Sequence, residues 1–308
     1  MEERRRPEIR RHRSRSSGAA RGLAALGGAV LGLGLLAAIA WAVVGRGGEE
    51  SGEAATTAAT TTGPPPKPAL KIVFPEGFTI AEMAQRVGAV NEIAEDKRNI
   101  TPKLKPREYS RLAKRLPPPA GFPQRKQKVP HLEGFLFPAT YEFTEDTTTR
   151  ELMQNQLEAF ERAWGQIDLG YAGSKNLTPY DVLIIASMIE EEVLVPKERP
   201  LVAAVIYNRL KVGFPLGIDA TIRYGLNIPP TQAILQSQLD LVFPYNSRKV
   251  PGLPPTPISN PGLASMQAAA HPAKVDFLFF IRKADCKSHF FTASQQEFDN
   301  YPRAGLQC

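Results

Sequence analysis

Cysteine and histidine are scarce in this chain, which has two cysteines and four histidines among its 308 residues. Neither residue type occurs at the C-x-x-C or H-x-x-x-H spacing that holds a metal ion. We therefore expect no metal and no other cofactor, and a disulfide-rich small scaffold is excluded. The sequence leaves open whether Cys286 and Cys308 pair with each other.

Charged residues are absent from residues 22–45, although they make up 22% of the chain. A run of this length crosses a hydrocarbon core of roughly 30 Å as a helix, so we predict one transmembrane span there. Arginines crowd residues 1–21, and the positive-inside rule places this tail in the cytoplasm and everything after the span outside the membrane. A cleaved signal peptide is the alternative, but the run exceeds an h-region of roughly 7 to 15 residues.

The same arginines have a second interpretation, as an arm that binds nucleic acid. No aromatic side chain lies between them, and the apolar span that follows accounts for their position, so we expect no nucleic-acid partner. The predicted location is therefore the cell membrane, crossed once, with the globular part on the extracytoplasmic side.

Apolar periodicity is missing from residues 46–69, whose Thr, Ala, Gly and Pro are typical of a disordered linker. From Leu70 the pattern predicts a strand, a turn at residues 75–77 and a helix that begins with a capping box of Thr79 and Glu82. This opening resembles that of a LysM-type carbohydrate-binding module, so we assign residues 70–128 to a small LysM-like subdomain. Its basic stretch indicates either an anionic partner or a solvated face.

Residues 129–308 mix strand-like and helical segments, which predicts an α+β domain. Thr148 and Glu151 form a second capping box at the start of an amphipathic helix. A further helix begins with Thr178 as N-cap and Pro179 in the first turn. From residue 182 to residue 189 this helix is apolar nearly all round, so we expect it to be buried.

Three glutamates close that helix, and spacing distinguishes them. Glu190 shares a face with Leu183 and Ser187. Desolvation there and the negative end of the helix dipole favour a neutral carboxyl group, which is what a glycosidic general acid requires. Spacing alone also allows a solvated acidic helix end, and Glu191, displaced around the helix, is the best candidate for plain solvation.

Five sequence blocks in a fixed order carry a family resemblance. They are "LEGFLFPATYEF", "ASMIEEE", "VAAVIYNRL", "PLGIDATIRYGL" and "PYNSRKVPGLPPTPISNPG". Together they resemble the endolytic murein transglycosylases, the YceG-like family, over the chain from about Leu70 and most strongly from His131 to Phe291. Gly217, Ile218 and Thr256 depart from the family pattern.

The resemblance implies a membrane-anchored lyase that cuts nascent peptidoglycan strands internally and leaves 1,6-anhydro-muramyl ends. The family's catalytic glutamate corresponds to Glu190, acting first as general acid and then as base. Other matching positions are expected to position the substrate: Glu192, Asn208, Asp219, Thr221, Tyr224, Tyr245, Asn246, Ser259 and Asn260. The implied partners are glycan strands, the inner membrane and the penicillin-binding proteins of cell-wall synthesis, with no cofactor.

Two other functions are compatible with the residues. A hydrolytic muramidase would use Glu190 with Asp219, because glycoside hydrolysis usually employs two carboxyl groups, and Glu133 is the other comparably placed acid. A non-enzymatic scaffold would bind glycan without cutting it. The segment "GLPPTPISNPG" is too rich in Pro and Gly for a helix or central strand, which predicts a rigid loop beside the site.

Overall fold

The structure, a computed structural model, describes residues 67–122 and 131–302. The predicted cytoplasmic tail, the predicted membrane span and the linker as far as residue 66 lie outside these ranges. Within them, no helix is long and apolar enough to cross a membrane. The described chain combines helices with two short antiparallel sheets, so the α+β prediction is confirmed.

The first sheet joins strands that lie far apart in the sequence. β1 (Leu70–Val73) pairs antiparallel with β2 (Thr140–Phe143), and Ile72 faces Tyr141 across the ladder. Alternate residues of β1 are buried, as expected for a strand with one face on the core. This strand pair crosses the division predicted at residue 128, which itself stays a prediction.

Two helices lie between these strands in the sequence. α1 (Ile80–Arg98) begins as predicted, because Thr79 accepts a hydrogen bond from the Glu82 amide and the Glu82 carboxylate accepts one from the Thr79 amide. α2 (Pro106–Ala113) packs beside it. Tyr109 of α2 is fully buried and donates a hydrogen bond of 2.6 Å to Gln156. That bond ties this N-terminal part to the next long helix.

α3 (Thr149–Trp164) carries the second predicted capping box, formed by Thr148 and Glu151. A short helix, α4 (Gly170–Ser174), follows. Phe160 of α3 lies in a cluster of aromatic rings whose centroids are 4.9 to 6.0 Å apart. This cluster contains Phe122, Phe135, Phe160, Trp164 and Tyr180. It packs the start of the central helix against α3.

The central helix is α5 (Pro179–Glu192), and every residue from Tyr180 to Ile189 is buried. Around it pack α6 (Arg199–Val212), α7 (Asp219–Leu226) and α9 (Leu263–Ala270). Burial of each large aliphatic side chain stabilises the fold by roughly 1.5 to 3 kcal/mol relative to an exposed one. The prediction that this helix is buried is confirmed.

Residues 252–262, predicted as a rigid loop, have neither helix nor strand, and the same is true of residues 241–251 before them. The whole segment follows α8 (Gln236–Asp240) and leads into α9. The Ser187 hydroxyl of α5 accepts a hydrogen bond of 3.0 Å from the Ile258 amide. The loop is therefore fixed to the central helix one turn before Glu190.

The chain ends in a hairpin of β3 (Phe279–Arg282) and β4 (His289–Thr292), followed by α10 (Gln295–Asn300). Glu198, in the single turn Pro196–Glu198, accepts hydrogen bonds from the amide and the ring Nδ1 of His289. Cys286 lies in the hairpin turn and is disulfide-bonded, whereas Cys308 lies outside the described residues. The Glu198 bonds fasten the hairpin to the start of α6.

Candidate active site

Glu190 occupies the last turn of α5, and its side chain is only 7% exposed. Its Oε2 atom accepts a hydrogen bond of 2.9 Å from the backbone amide of Gly262, the residue before α9. Its Oε1 atom lies 3.7 Å from Nη2 of Arg199. The two oxygens are thus oriented by different elements, while α5 holds the stem.

Arg199 is the first residue of α6 and is itself held in place. Its Nε donates a hydrogen bond of 3.0 Å to the hydroxyl of Ser265, which is fully buried in α9. The guanidinium group therefore presents Nη2 to Glu190 from a fixed position. A fixed cation at this distance stabilises the carboxylate that remains when Glu190 has given up a proton.

The turn before α1 closes over the same carboxyl group. A Cβ atom at Gly262 would lie 1.8 Å from Oε1 of Glu76, and one at Gly77 would lie 3.8 Å from Cγ of Glu190. Gly77 also has a φ of 82°, which L side chains rarely adopt. Its amide donates a hydrogen bond of 3.0 Å to the Asn260 carbonyl. Glycine at both positions lets the turn reach the backbone that binds Glu190.

Glu191 is exposed as a residue, but its carboxyl group lies beside the 75–77 turn and is not simply solvated, as had been expected. A Cβ atom at Gly77 would lie 3.1 Å from Glu191 Oε1. Burial of this carboxyl raises its pKa to about 8, and the hydrogen bond with Ser259 opposes the shift. The charges of Glu82, Glu190 and Glu192 act in the same direction as burial. Glu191 is therefore part of the acidic cluster, and helical spacing gave no sign of it.

Glu192 points toward α7. Burial raises the pKa of its carboxyl group to about 7, and the charge of Asp219 adds to the shift. Arg282 and Arg248 oppose it, as does a hydrogen bond from the Ala220 amide. The predicted second acid thus lies at the N-terminus of α7.

A buried polar network surrounds Glu133, which is 3% exposed. Its carboxyl group accepts hydrogen bonds from the Ile80 amide at 2.9 Å, from Asn260 Nδ2 at 2.8 Å and from the Tyr224 hydroxyl at 3.1 Å. Asn260 Oδ1 in turn accepts the Gly134 and Leu136 amides, both at 2.9 Å. These bonds join α1, α7 and the Pro-rich loop.

Three other predicted positions lie around α7 and the loop that follows it. The Thr221 hydroxyl donates to the Ile218 carbonyl, which also accepts the Ser247 hydroxyl. Asn246 is fully buried, and its Nδ2 donates to two carbonyls of the 239–241 segment. The Tyr245 hydroxyl shares a hydrogen bond of 2.9 Å with Thr256. The polar side chains of these residues all have partners within the protein.

Asp219 and Ser259 are also engaged with neighbouring residues. Asp219, at the start of α7, accepts two hydrogen bonds from the Arg248 guanidinium at 2.6 and 2.9 Å, and both side chains are 44% exposed. Ser259 is fully buried, and its hydroxyl donates to the Ser187 carbonyl at 3.3 Å. Ser259 therefore lies beside Glu190's helix, whereas Asp219 forms an ion pair beyond Glu192.

Asn208 lies apart from the acidic cluster. Its Nδ2 donates to the carbonyls of Val275 and Phe277 at 3.0 and 2.9 Å. It lines two adjoining cavities of about 560 and 750 Å³ together with Tyr171 and Tyr207, and Glu190 lines neither of them. The structure thus does not bring Asn208 together with the other predicted residues.

The family model described as "YceG-like family" matches residues 49–304. The chain belongs to the YceG-like family. The endolytic murein transglycosylase of Bacillus subtilis is 31% identical over 219 residues, which cover 70% of this chain and 60% of the relative. That of Streptococcus pneumoniae is 30% identical over 247 residues, which cover 74% of this chain and 43% of the relative. The match thus spans three fifths or less of the length of these relatives.

A crystal structure of a YceG-like protein from Listeria monocytogenes has the same fold. It is 28% identical in sequence, the TM-score is 0.62, and the match covers 74% of this chain and 75% of the Listeria chain. The resemblance stated from the ordered sequence blocks is therefore confirmed at the level of family and fold.

Three residues at the centre of this YceG-like site escaped the sequence analysis: Arg199, Gly262 and Glu76. They come from three different elements, and their contacts with Glu190 depend on how α6, α9 and the 75–77 turn pack. The one local signal is the turn motif itself, whose glycine predicts a positive φ but not what the turn approaches. The resulting arrangement is one buried carboxyl group with an amide donor and a cation, which can give up a proton and take one back.

Proposed function

We propose that this YceG-like protein is a membrane-anchored endolytic transglycosylase that cleaves the β-1,4 bond between N-acetylmuramic acid and N-acetylglucosamine in peptidoglycan. The observation that carries this proposal is the placement of Glu190, oriented by Gly262 and Arg199 at the end of the buried helix α5. The names of the Bacillus and Streptococcus relatives support the same activity.

The cleavage consumes no water. Glu190 protonates the glycosidic oxygen, and the bond from that oxygen to muramyl C1 breaks. The muramyl 6-hydroxyl then bonds to C1 and gives its proton to the Glu190 carboxylate, which restores the acid. Arg199 stabilises that carboxylate between the two transfers. The products are a 1,6-anhydro-muramyl end and a new N-acetylglucosamine end.

The two other acids considered for a hydrolytic reaction are engaged elsewhere, which favours the lyase. Asp219 is held by two hydrogen bonds to Arg248. Glu133 is buried, and its carboxyl group accepts three hydrogen bonds from the protein. A second carboxyl group that activates water has to face the sugar ring across from the general acid. Neither of these carboxyl groups is free to do so in this arrangement.

The deciding experiment is the mass of the products. Purified peptidoglycan digested by the full chain is expected to give muramyl ends that are lighter by one water than hydrolytic ends and that resist reduction. Glu190→Gln is expected to lower the rate by about 10³-fold or more, because it removes both the acid and the base. Glu92→Gln, an exposed acid of α1, serves as the matched control. Reducible muramyl ends would refute the lyase mechanism.

Two variants separate the remaining alternatives. Asp219→Asn is expected to leave the anhydro product in place and to lower activity far less than Glu190→Gln, whereas the hydrolytic alternative requires a comparable loss from both. A non-enzymatic scaffold predicts that Glu190→Gln retains full function in cells. Loss of function with normal amounts of the variant protein would exclude the scaffold.

The membrane anchor and the partners are part of the same proposal. Residues 22–45 form the single span, residues 1–21 stay in the cytoplasm and the globular part faces the cell wall. Penicillin-binding proteins are the partners that this location favours. Reporter enzymes fused before residue 22 and after residue 302 are expected to be active on opposite sides of the membrane, and equal behaviour of the two fusions would contradict this topology.

A LysM-like role for the N-terminal part is supported by its strand-then-helix opening and by the pairing of β1 with β2. This part binds glycan strands and presents them to Glu190. Alanine substitution of exposed basic residues of α2, such as Arg107 and Arg111, tests the anionic-partner interpretation of its basic stretch. Weaker sedimentation with insoluble peptidoglycan is expected, and unchanged binding would leave these residues as a solvated face.

A further inference from the structure

We infer that Glu76, on the turn before α1, is a positioning residue that controls the protonation of Glu190 in the transglycosylase reaction. This inference rests on the proposed function, because Glu190 is the acid on which Glu76 acts. Glu76 was not among the residues that the family blocks pointed to, and it belongs to the N-terminal part of the fold, not to the segment that carries the blocks.

Glu76 and Glu190 approach the same residue, Gly262, from different sides. The Gly262 amide binds Glu190 Oε2 at 2.9 Å, while a Cβ on Gly262 would lie 1.8 Å from Oε1 and 2.2 Å from Cδ of Glu76. The Glu76 carboxyl group thus lies beside Gly262, the residue whose amide binds Glu190.

The turn itself is fixed in position. Gly77, the next residue, lies over Glu190 and Glu191, and its amide is bonded to the Asn260 carbonyl at 3.0 Å. The Asn260 amide in turn donates to the Phe78 carbonyl at 3.1 Å. These two backbone bonds fix the turn against the Pro-rich loop. Glu76 is therefore held at the site although its side chain is exposed to solvent.

Acids outnumber cations around Glu76. The groups that face Glu76 are Glu190 of α5 and Arg199 of α6. The Glu191 carboxyl group lies beside Gly77, the residue that follows Glu76. Burial and then the Glu190 charge raise the pKa of Glu76, while Arg199 opposes the rise. Carboxyl groups that share one site favour each other's neutral form, because like charges repel. One arginine is thus shared by several acids.

The consequence for the reaction follows from the two proton transfers. Glu190 must hold a proton before the bond breaks and must take one from the 6-hydroxyl afterwards. A negative charge on Glu76 favours the protonated form of Glu190 before the bond breaks. It also favours the return of a proton to Glu190 from the 6-hydroxyl. Removing that charge is therefore expected to move the alkaline limb of the rate profile to lower pH.

The test is the pH dependence of kcat and KM for the full chain acting on purified peptidoglycan. Glu76→Gln removes the charge and keeps the shape, Glu76→Asp keeps the charge on a shorter stem, and Glu92→Gln is the control on α1. Glu76→Gln is expected to move the alkaline limb of kcat down by about 0.5 to 1 pH unit, with KM changed less than about twofold. Glu76→Asp should restore at least half of the shift.

Salt gives an independent readout. Because the Glu76 side chain is exposed, its effect should shrink as sodium chloride rises toward about 1 M, where charges are screened within roughly 3 Å. If the pH profiles of kcat for Glu76→Gln and Glu92→Gln superimpose, the inference is overturned. A Glu76→Gln variant that changes KM but not the pH profile of kcat would also overturn it. Retained activity in Glu190→Gln would instead refute the proposed function, whatever the behaviour of Glu76.

Discussion

The buried acid Glu133 gives the fold a pH dependence that can be measured. It is 3% exposed and accepts three hydrogen bonds, which favour its ionised form, yet burial prevails and raises its pKa to about 8. Glu133→Gln keeps the shape of the side chain and an acceptor oxygen for the Ile80 amide and for Asn260 Nδ2. It removes the titration and leaves most of the network in place.

The sign follows from proton binding. The folded state holds the Glu133 proton up to about pH 8, whereas the unfolded chain releases it near its ordinary value of about 4.3. The folded state therefore binds more protons across this window, and stability that is fully present below pH 4 is lost as pH rises toward 8. For one such group the loss between pH 5 and pH 8 is about 3 kcal/mol.

Urea unfolding of wild type and Glu133→Gln at several pH values between 5 and 8 tests this. Glu191 and Glu192 also have raised pKa values, so both proteins should lose stability as pH rises. The difference between the two free energies of unfolding isolates Glu133, and it is expected to shift by about 3 kcal/mol in favour of the glutamine variant. Glu92→Gln should show a difference near zero at every pH.

Parallel curves for wild type and Glu133→Gln would refute the reasoning. They would mean that the donors from Ile80, Asn260 and Tyr224 hold the carboxyl group ionised in the folded state. In that case the glutamine variant would be less stable than wild type at every pH above 5, since it would lose charge-assisted hydrogen bonds.

Two further predictions concern stability. Asn260→Ala leaves the buried Gly134 and Leu136 amides without their acceptor and is expected to lower the free energy of unfolding in urea by about 3 to 5 kcal/mol. Arg209→Lys loses the planar fork that donates to three carbonyls between two phenylalanine rings. It is expected to lower the free energy of unfolding by about 2 kcal/mol, which a lower melting temperature would report. The exposed Arg111→Lys should change the melting temperature little.

Sequence reasoning succeeded where local chemistry decides structure. Thr79 with Glu82 and Thr148 with Glu151 form the predicted capping boxes, and Thr178 is the predicted N-cap. The apolar run after Thr178 is buried because no face of it is polar enough to meet solvent. These features depend on neighbours within one or two turns.

The site depended on contacts that no local pattern contains. Arg199 and Gly262 reach Glu190 only because α6 and α9 pack around α5. Several polar residues that matched the family, such as Asn246 and Asn260, have side chains bonded to backbone groups of their own chain. Matching blocks identify residues that matter to a family, but they do not separate a group that touches sugar from one that holds a loop. Their substrate roles stay predictions.

The pairing of β1 with β2 limits how the gene can be cut and recombined. A fragment starting at residue 129 would keep the strand Thr140–Phe143 with an unpaired edge, and unpaired edges promote aggregation. It would also deprive Glu133 of the Ile80 amide and remove Glu76 altogether. Chimeras between relatives should therefore place their upstream junction before Leu70, so that the 75–77 turn comes from the same protein as Glu190.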